Sequence, residues 1–266
     1  MLTGAARVTD SCPFGSVLES FADIAPYIIA IDESALQNEI GPQYQLLERL
    51  CDDEADLHML TWVWSPFDID TLSAHFKRFC TYTLPNRRAY YLHFYDNRVL
   101  PRLRQVWSGE EHQRFMAPVV EIWYRDRKLG AVAWRNDDVP SVVVADTPQS
   151  LTDEQHQLLL DLGYADKLAM QLRNTCGAMV DRLSGDELYA LVDSQLERAY
   201  GYRISDEEGL SAYVTVGVLV SPEFDRHPVV SERLLAVARD EIMAADALST
   251  IDDSVWDAIR DDYINE

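Results

Sequence analysis

AspThrProGlnSerLeuThrAsp (146–153) divides the chain into two kinds of sequence. Pro148 disfavours a helical conformation at the residue before it. Thr152 followed by Asp153 and Glu154 has the form of a helix N-cap with an acidic first turn. Upstream, β-branched and aromatic runs alternate with short helical patterns. Downstream, helical periodicity is nearly continuous. The reading is an α/β domain over residues 1–148 and a helical lobe over 149–266. The expected fold class is α+β: a mixed-sheet N-terminal lobe with flanking helices, then an all-helical C-terminal lobe.

The strands expected in the first lobe lie at 26–31, 59–64, 89–95, 119–124, 130–134 and 141–145, each rich in Val, Ile, Tyr, Trp or Phe. Helices are expected over 35–50, 69–80, 99–107 and 110–116 from the spacing of residues such as Leu72, Phe76 and Phe79. In the second lobe the periodicity predicts helices over 152–174, 186–200 (with Ser184 as cap), 231–247 and 253–263. The run 206–220 carries ThrValGlyValLeuVal, which suits helix or strand. Its helical neighbours favour helix.

Among 266 residues, 23 Lys and Arg face 45 Asp and Glu, a formal charge of −22. So acidic a chain repels a phosphate backbone, which argues against general nucleic-acid binding. The sequence has no apolar run of the roughly 18–20 residues that a membrane helix needs. It also lacks a basic n-region followed by an apolar h-region, so a cytoplasmic protein without membrane insertion is expected. Cys12, Cys51, Cys80 and Cys176 are far apart and form no C-x-x-C pair, so reduced, buried thiols are expected.

Charge is unevenly spread. Residues 77–135 hold 12 Lys or Arg and five acids, a local charge of +7, which leaves −29 elsewhere. Either this basic stretch faces the protein's own acidic part, or it forms a docking surface for an acidic partner with Arg102, Arg104 and Arg114 as its candidate residues.

The sequence carries no GxSxG elbow, phosphate-cradling GxxxxGK[ST], GxGxxG or HExxH. The six histidines never fall at the helical spacing of a metal site, and the acidic clusters at 52–56, 206–208 and 252–253 read as solvated turns. No catalytic, cofactor or metal residue is assigned. The constellation that stands out is LeuHisPheTyrAspAsnArgValLeuPro (92–101), where Asp96 caps the next helix and Arg98 reaches back to it in a structural clasp.

PheTyrAspAsnArgValLeu (94–100) also resembles the F-[RY]-x-Y/F-D-P-R-V-L type signature of the type VI secretion effector chaperones, the adaptor family called Tap or TEC. AlaProTyrIleIleAlaIle (25–31), Trp62 to Ser65, LeuSerAlaHisPheLysArgPhe (72–79) and residues 110–123 resemble further segments of that family in the same order. Residues 199–214 and the turn at Pro222, Phe224 and Asp225 resemble its helical extension. The resemblance covers roughly residues 16–230. Asn97 stands where the family has Pro, and Ala117 where it has Gly. Only about 13 residues precede the matching region, which leads us to expect an exposed strand edge.

The resemblance implies a non-enzymatic adaptor without a cofactor. It would bind a secreted toxin effector through a non-toxic N-terminal region and help load it onto the VgrG spike protein. Phe94, Tyr95, Asp96 and Arg98 are then motif residues of structural or partner-facing role. Two rival readings are an immunity protein that neutralises a toxin domain and a hydrolase with an unrecognised acidic site.

Overall fold

The computed structural model describes residues 26–31, 37, 41–52, 60–142 and 149–265. The chain forms two compact units, Met1–Leu162 and Gly163–Glu266. Among the described residues the first unit holds α1 (Pro42–Asp52), β1 (Trp62–Trp64), α2 (Ile69–Lys77), β2 (Thr81–Thr83), β3 (Ala89–Tyr91), α3 (Leu100–Val106), α4 (Gly109–Met116), β4 (Glu121–Asp126), β5 (Gly130–Arg135), β6 (Gln149–Ser150) and α5 (Asp153–Leu162). The second holds α6 (Tyr164–Val180), α7 (Gly185–Gly201), α8 (Glu207–Leu219), a 3-10 turn (Phe224–Arg226), α9 (Pro228–Ala238), α10 (Ala244–Ser249) and α11 (Asp253–Asn265). The fold class is α+β.

Among the described residues of the first unit, two three-stranded sheets form, with orders β1-β4-β5 and β3-β2-β6. The first is antiparallel throughout. The second is mixed, because β6 runs parallel to β2. Strand alternation on β4 sends Ile122 and Tyr124 inward and Trp123 and Arg125 outward. Helix α2 presents Leu72, His75 and Phe76 on one face, at the i, i+3, i+4 spacing that a buried helical stripe requires. These faces enclose an aromatic core of Phe76, Phe79, Phe94, Trp107, Phe115 and Trp134. The expected junction at 148/149 precedes β6 and α5. Leu151 nevertheless belongs to this first core and Leu159 packs against it.

In the second unit the ambiguous run 206–220 is the helix α8. Its N-cap Asp206 accepts a hydrogen bond from the Gly209 amide at 2.7 Å, and Tyr213 and Val214 are buried in the core. Ser184 forms a capping box with Glu187, and Thr152 caps α5 through reciprocal bonds with Gln155. Gly217 lies where α8 crosses α7. A Cβ there would come within 2.2 Å of Gln195 Oε1 and 2.7 Å of its Cγ, and Gln195 is itself buried. Gly217→Val is therefore expected to cost about 2 kcal/mol by overpacking, read as a lower urea midpoint of the helical circular dichroism signal.

Several expectations are corrected. Of 26–31, only Ile29 makes a β-bridge. The proposed strand at 141–145 shows no regular structure at Ser141 and Val142, and its remainder lies outside the described residues. The single helix read over 152–174 is two, α5 and α6, separated at Gly163.

The helix read over 231–247 is likewise two, α9 and α10. The break is a Schellman turn, in which Asp240 takes a left-handed φ of 59°. Its amide donates to the Val237 carbonyl, and that of Glu241 to the Ala236 carbonyl. Strands β2 and β6 were not foreseen, since two or three residues carry no usable period. Cys80 is buried and Cys176 half-buried, both as free thiols.

Candidate functional site

The segments 72–79, 94–100 and 110–123 that carry part of the resemblance converge in the first unit. Phe76 from 72–79 lies 5.5 Å from Phe94 of the 94–100 signature, and both lie 5.5 Å from Phe115. Phe115 also packs on Phe79 at 5.0 Å, Trp107 at 4.9 Å and Trp134 at 5.6 Å. Hydrogen bonds join the same segments. Thr61 donates its hydroxyl to Asn97 Oδ1, and the Asn97 amide donates to the Leu60 carbonyl, both at 2.7 Å. The Ser65 hydroxyl donates to the Pro118 carbonyl at 2.6 Å. Asn97 is 1% exposed. Its side chain therefore ties the turn at 94–100 to the segment entering β1.

His75 lies at the centre of this frame. Arg78 Nη2 is 2.8 Å from His75 Nδ1, and arginine can only donate, so Nδ1 is the acceptor. The proton then sits on Nε2, which donates to the Phe115 carbonyl at 2.9 Å. Burial, with a smaller contribution from the Arg78 charge, lowers the His75 pKa from 6.5 to about 4, against the opposing effect of the Phe115 bond. Since the folded pKa is below the unfolded one, this contribution is complete above pH 6.5. It falls as acid protonates the unfolded chain first. The first unit should lose about 2 kcal/mol between pH 7 and pH 5, a loss that His75→Gln should abolish. Urea midpoints followed by tryptophan fluorescence at the two pH values test this.

The Asp96–Arg98 clasp is present. Arg98 Nε lies 2.8 and 3.0 Å from the two Asp96 oxygens, Nη2 lies 2.5 Å from Oδ2, and the Arg98 amide donates to Oδ1 at 2.8 Å. Burial opposes the charged form of Asp96. The Arg98 bonds and the charges of Arg98 and Arg102 outweigh this, holding the carboxyl below its usual range. One detail differs from the sequence reading: α3 has Val99 at its N-cap, with no side-chain cap, because Asp96 spends its oxygens on Arg98 one turn earlier. Phe94 and Asp96 are buried, Tyr95 is half-buried with its hydroxyl 2.8 Å from His93 Nδ1, and Arg98 is exposed.

The three candidate arginines are all half-buried. Arg104 lies 4.9 Å over the Trp134 ring and donates to the Tyr124 hydroxyl at 3.0 Å. Arg102 adds to the field at Asp96. Arg114 lines a shallow groove with Glu110, Gln113, Asn136 and Asp138. Arg104 and Arg114 thus belong to different surroundings, the first against the sheet and the second in this groove.

Two residues escaped the sequence reading. Glu111, read only as an acid in the first turn of a helix, is buried. It accepts bonds from the Ser108 amide at 2.7 Å, Gln149 at 3.1 Å and Gln155 at 2.8 Å, so that it ties α4 to β6 and α5. Trp123 stands beside Trp64 on an open sheet face, their ring centroids 4.6 Å apart. The i, i+2 spacing of Trp62 and Trp64 was the available signal.

Residues 11–114 match the family described as Domain of unknown function (DUF4123). The match takes in the segments 25–31, 62–65, 72–79 and 94–100 and ends within α4, before β4, β5 and the second unit. No curated protein and no solved structure matches the chain.

Proposed function

We propose that this protein is a non-enzymatic adaptor that binds a type VI secretion effector in the producing cell and helps load it onto the VgrG spike. The observation that carries this reading is the match of residues 11–114 to a family associated with type VI secretion effector adaptors. The geometry around the motif residues supports it. His75 and Asn97 direct their polar groups at neighbouring chain segments, and Asp96 holds Arg98 within its own turn, so these residues serve the frame. The proposal places the protein in the cytoplasm, with the effector's non-toxic N-terminal region and the spike as its partners.

The test is co-expression of the chain with the effector and with the spike C-terminal region, followed by size-exclusion chromatography. Co-elution with an effector fragment lacking its toxic domain, and failure of the effector to accumulate without this chain, is the expected result. Co-elution only with the toxic domain, with toxicity abolished, would make it an immunity protein. Association with neither would overturn the adaptor reading and favour an enzyme.

A further inference from the structure

The β1-β4-β5 sheet buries one face and leaves the other open. Pairing sets Trp62 opposite Trp123 and Trp64 opposite Glu121. Across the other ladder Glu121 faces Arg135, Trp123 faces Ala133 and Arg125 faces Ala131. Directly paired residues share a side, so these form one surface, while Ile122, Tyr124 and Trp134 fill the core behind it. Trp123 is 46% exposed and Trp64 43%, and the two exposed alanines leave a flat floor beside Trp123. At the β4–β5 turn Leu129 is 77% exposed. Large aromatic rings held in this way on a rigid sheet, open to water and grouped with arginine, have the composition of a binding hot spot.

The charges indicate what covers it. Glu121 is neutralised by Arg135 at 2.7 Å, and the Asp126 carboxylate is occupied by the Lys128 and Leu129 amides. Arg125 is exposed on the same face and forms no ion pair among the described residues, within the basic stretch of a chain whose net charge is −22. Self-pairing of this face would bring together two molecules that each carry a net charge of −22. The complement is a different protein that offers apolar side chains flanked by Asp or Glu.

We propose that the outer face of the β1-β4-β5 sheet is the docking surface for such an acidic, apolar protein segment, with Trp64 and Trp123 as anchors and Arg125 as the pairing cation. The inference rests on the adaptor reading for the identity of its partners, the effector N-terminal region and the spike C-terminal region. Truncating exposed side chains leaves the core behind them intact, so the variants should keep wild-type circular dichroism and thermal midpoints.

The experiment is isothermal titration of the full chain with each of the two partner regions, for wild type, Trp64→Ala, Trp123→Ala and Arg125→Glu. Trp123→Ala is expected to weaken binding of one partner by about 30-fold. Arg125→Glu should weaken it by about tenfold and flatten its dependence on salt. Wild-type binding that all three substitutions leave unchanged would overturn the inference while the adaptor reading stands. Binding of neither partner by wild type would remove both. Concentration-dependent dimerisation abolished by Trp123→Ala would assign the face to a second copy and overturn the proposal.

Discussion

Phe115→Ala is expected to destabilise the first unit by about 4 kcal/mol. Phe115 is 1% exposed and touches rings supplied by α2, by the signature segment, by the end of α3 and by β5. Its removal leaves a cavity among large, rigid side chains that cannot collapse into it. The aromatic edge-to-face contacts are lost as well. Five of the six tryptophans, Trp62, Trp64, Trp107, Trp123 and Trp134, lie in this unit. Tryptophan fluorescence against urea therefore reports its unfolding almost alone. A midpoint within experimental error of wild type would contradict the central role given to Phe115.

Asp225→Ala is expected to cost the second unit about 3 kcal/mol. Asp225 is 4% exposed and receives Arg198 through Nε at 3.2 Å and through Nη2, with the Tyr213 hydroxyl donating at 2.7 Å. Burial, then the hydrogen bond and charge of Asp225, push the Tyr213 hydroxyl pKa upward, so it remains a donor. Removing the carboxylate strands a guanidinium and a buried hydroxyl without their acceptor. Arg198 retains 29% side-chain exposure, so water relieves part of that penalty and the lower end of the range for buried pairs applies. Far-UV circular dichroism during urea unfolding reports the effect, since this unit is helical. Asp225→Asn, which preserves one acceptor, should lose less than half as much.

Both predictions concern residues whose importance differs between sequence and structure. Phe115 stood in a recognisable helical pattern, but nothing in residues 110–116 distinguished it from any other buried phenylalanine. Asp225 appeared only as part of a turn, 27 residues from the arginine that it binds. The three arginines of the basic stretch show the converse. Sequence grouped them by charge, yet Arg104 spends its guanidinium on Trp134 and Tyr124, and Arg114 sits in a separate groove.

What the sequence determined by itself is whatever depends on neighbours a few residues apart. The stripes of α2 and α7, the caps at Thr152 and Ser184, the alternation of β4 and the Asp96–Arg98 clasp all arise within one or two turns of chain. The α+β class follows from summing those local periods. Only the tertiary structure decided the pairing of the two-residue β6 with β2, the use of Glu111 to hold β6 and α5, and the neutral state of His75. Each depends on a burial or a hydrogen-bond partner supplied by a distant segment. The same acid or imidazole is therefore a solvated surface group or an internal tie according to what the fold places against it.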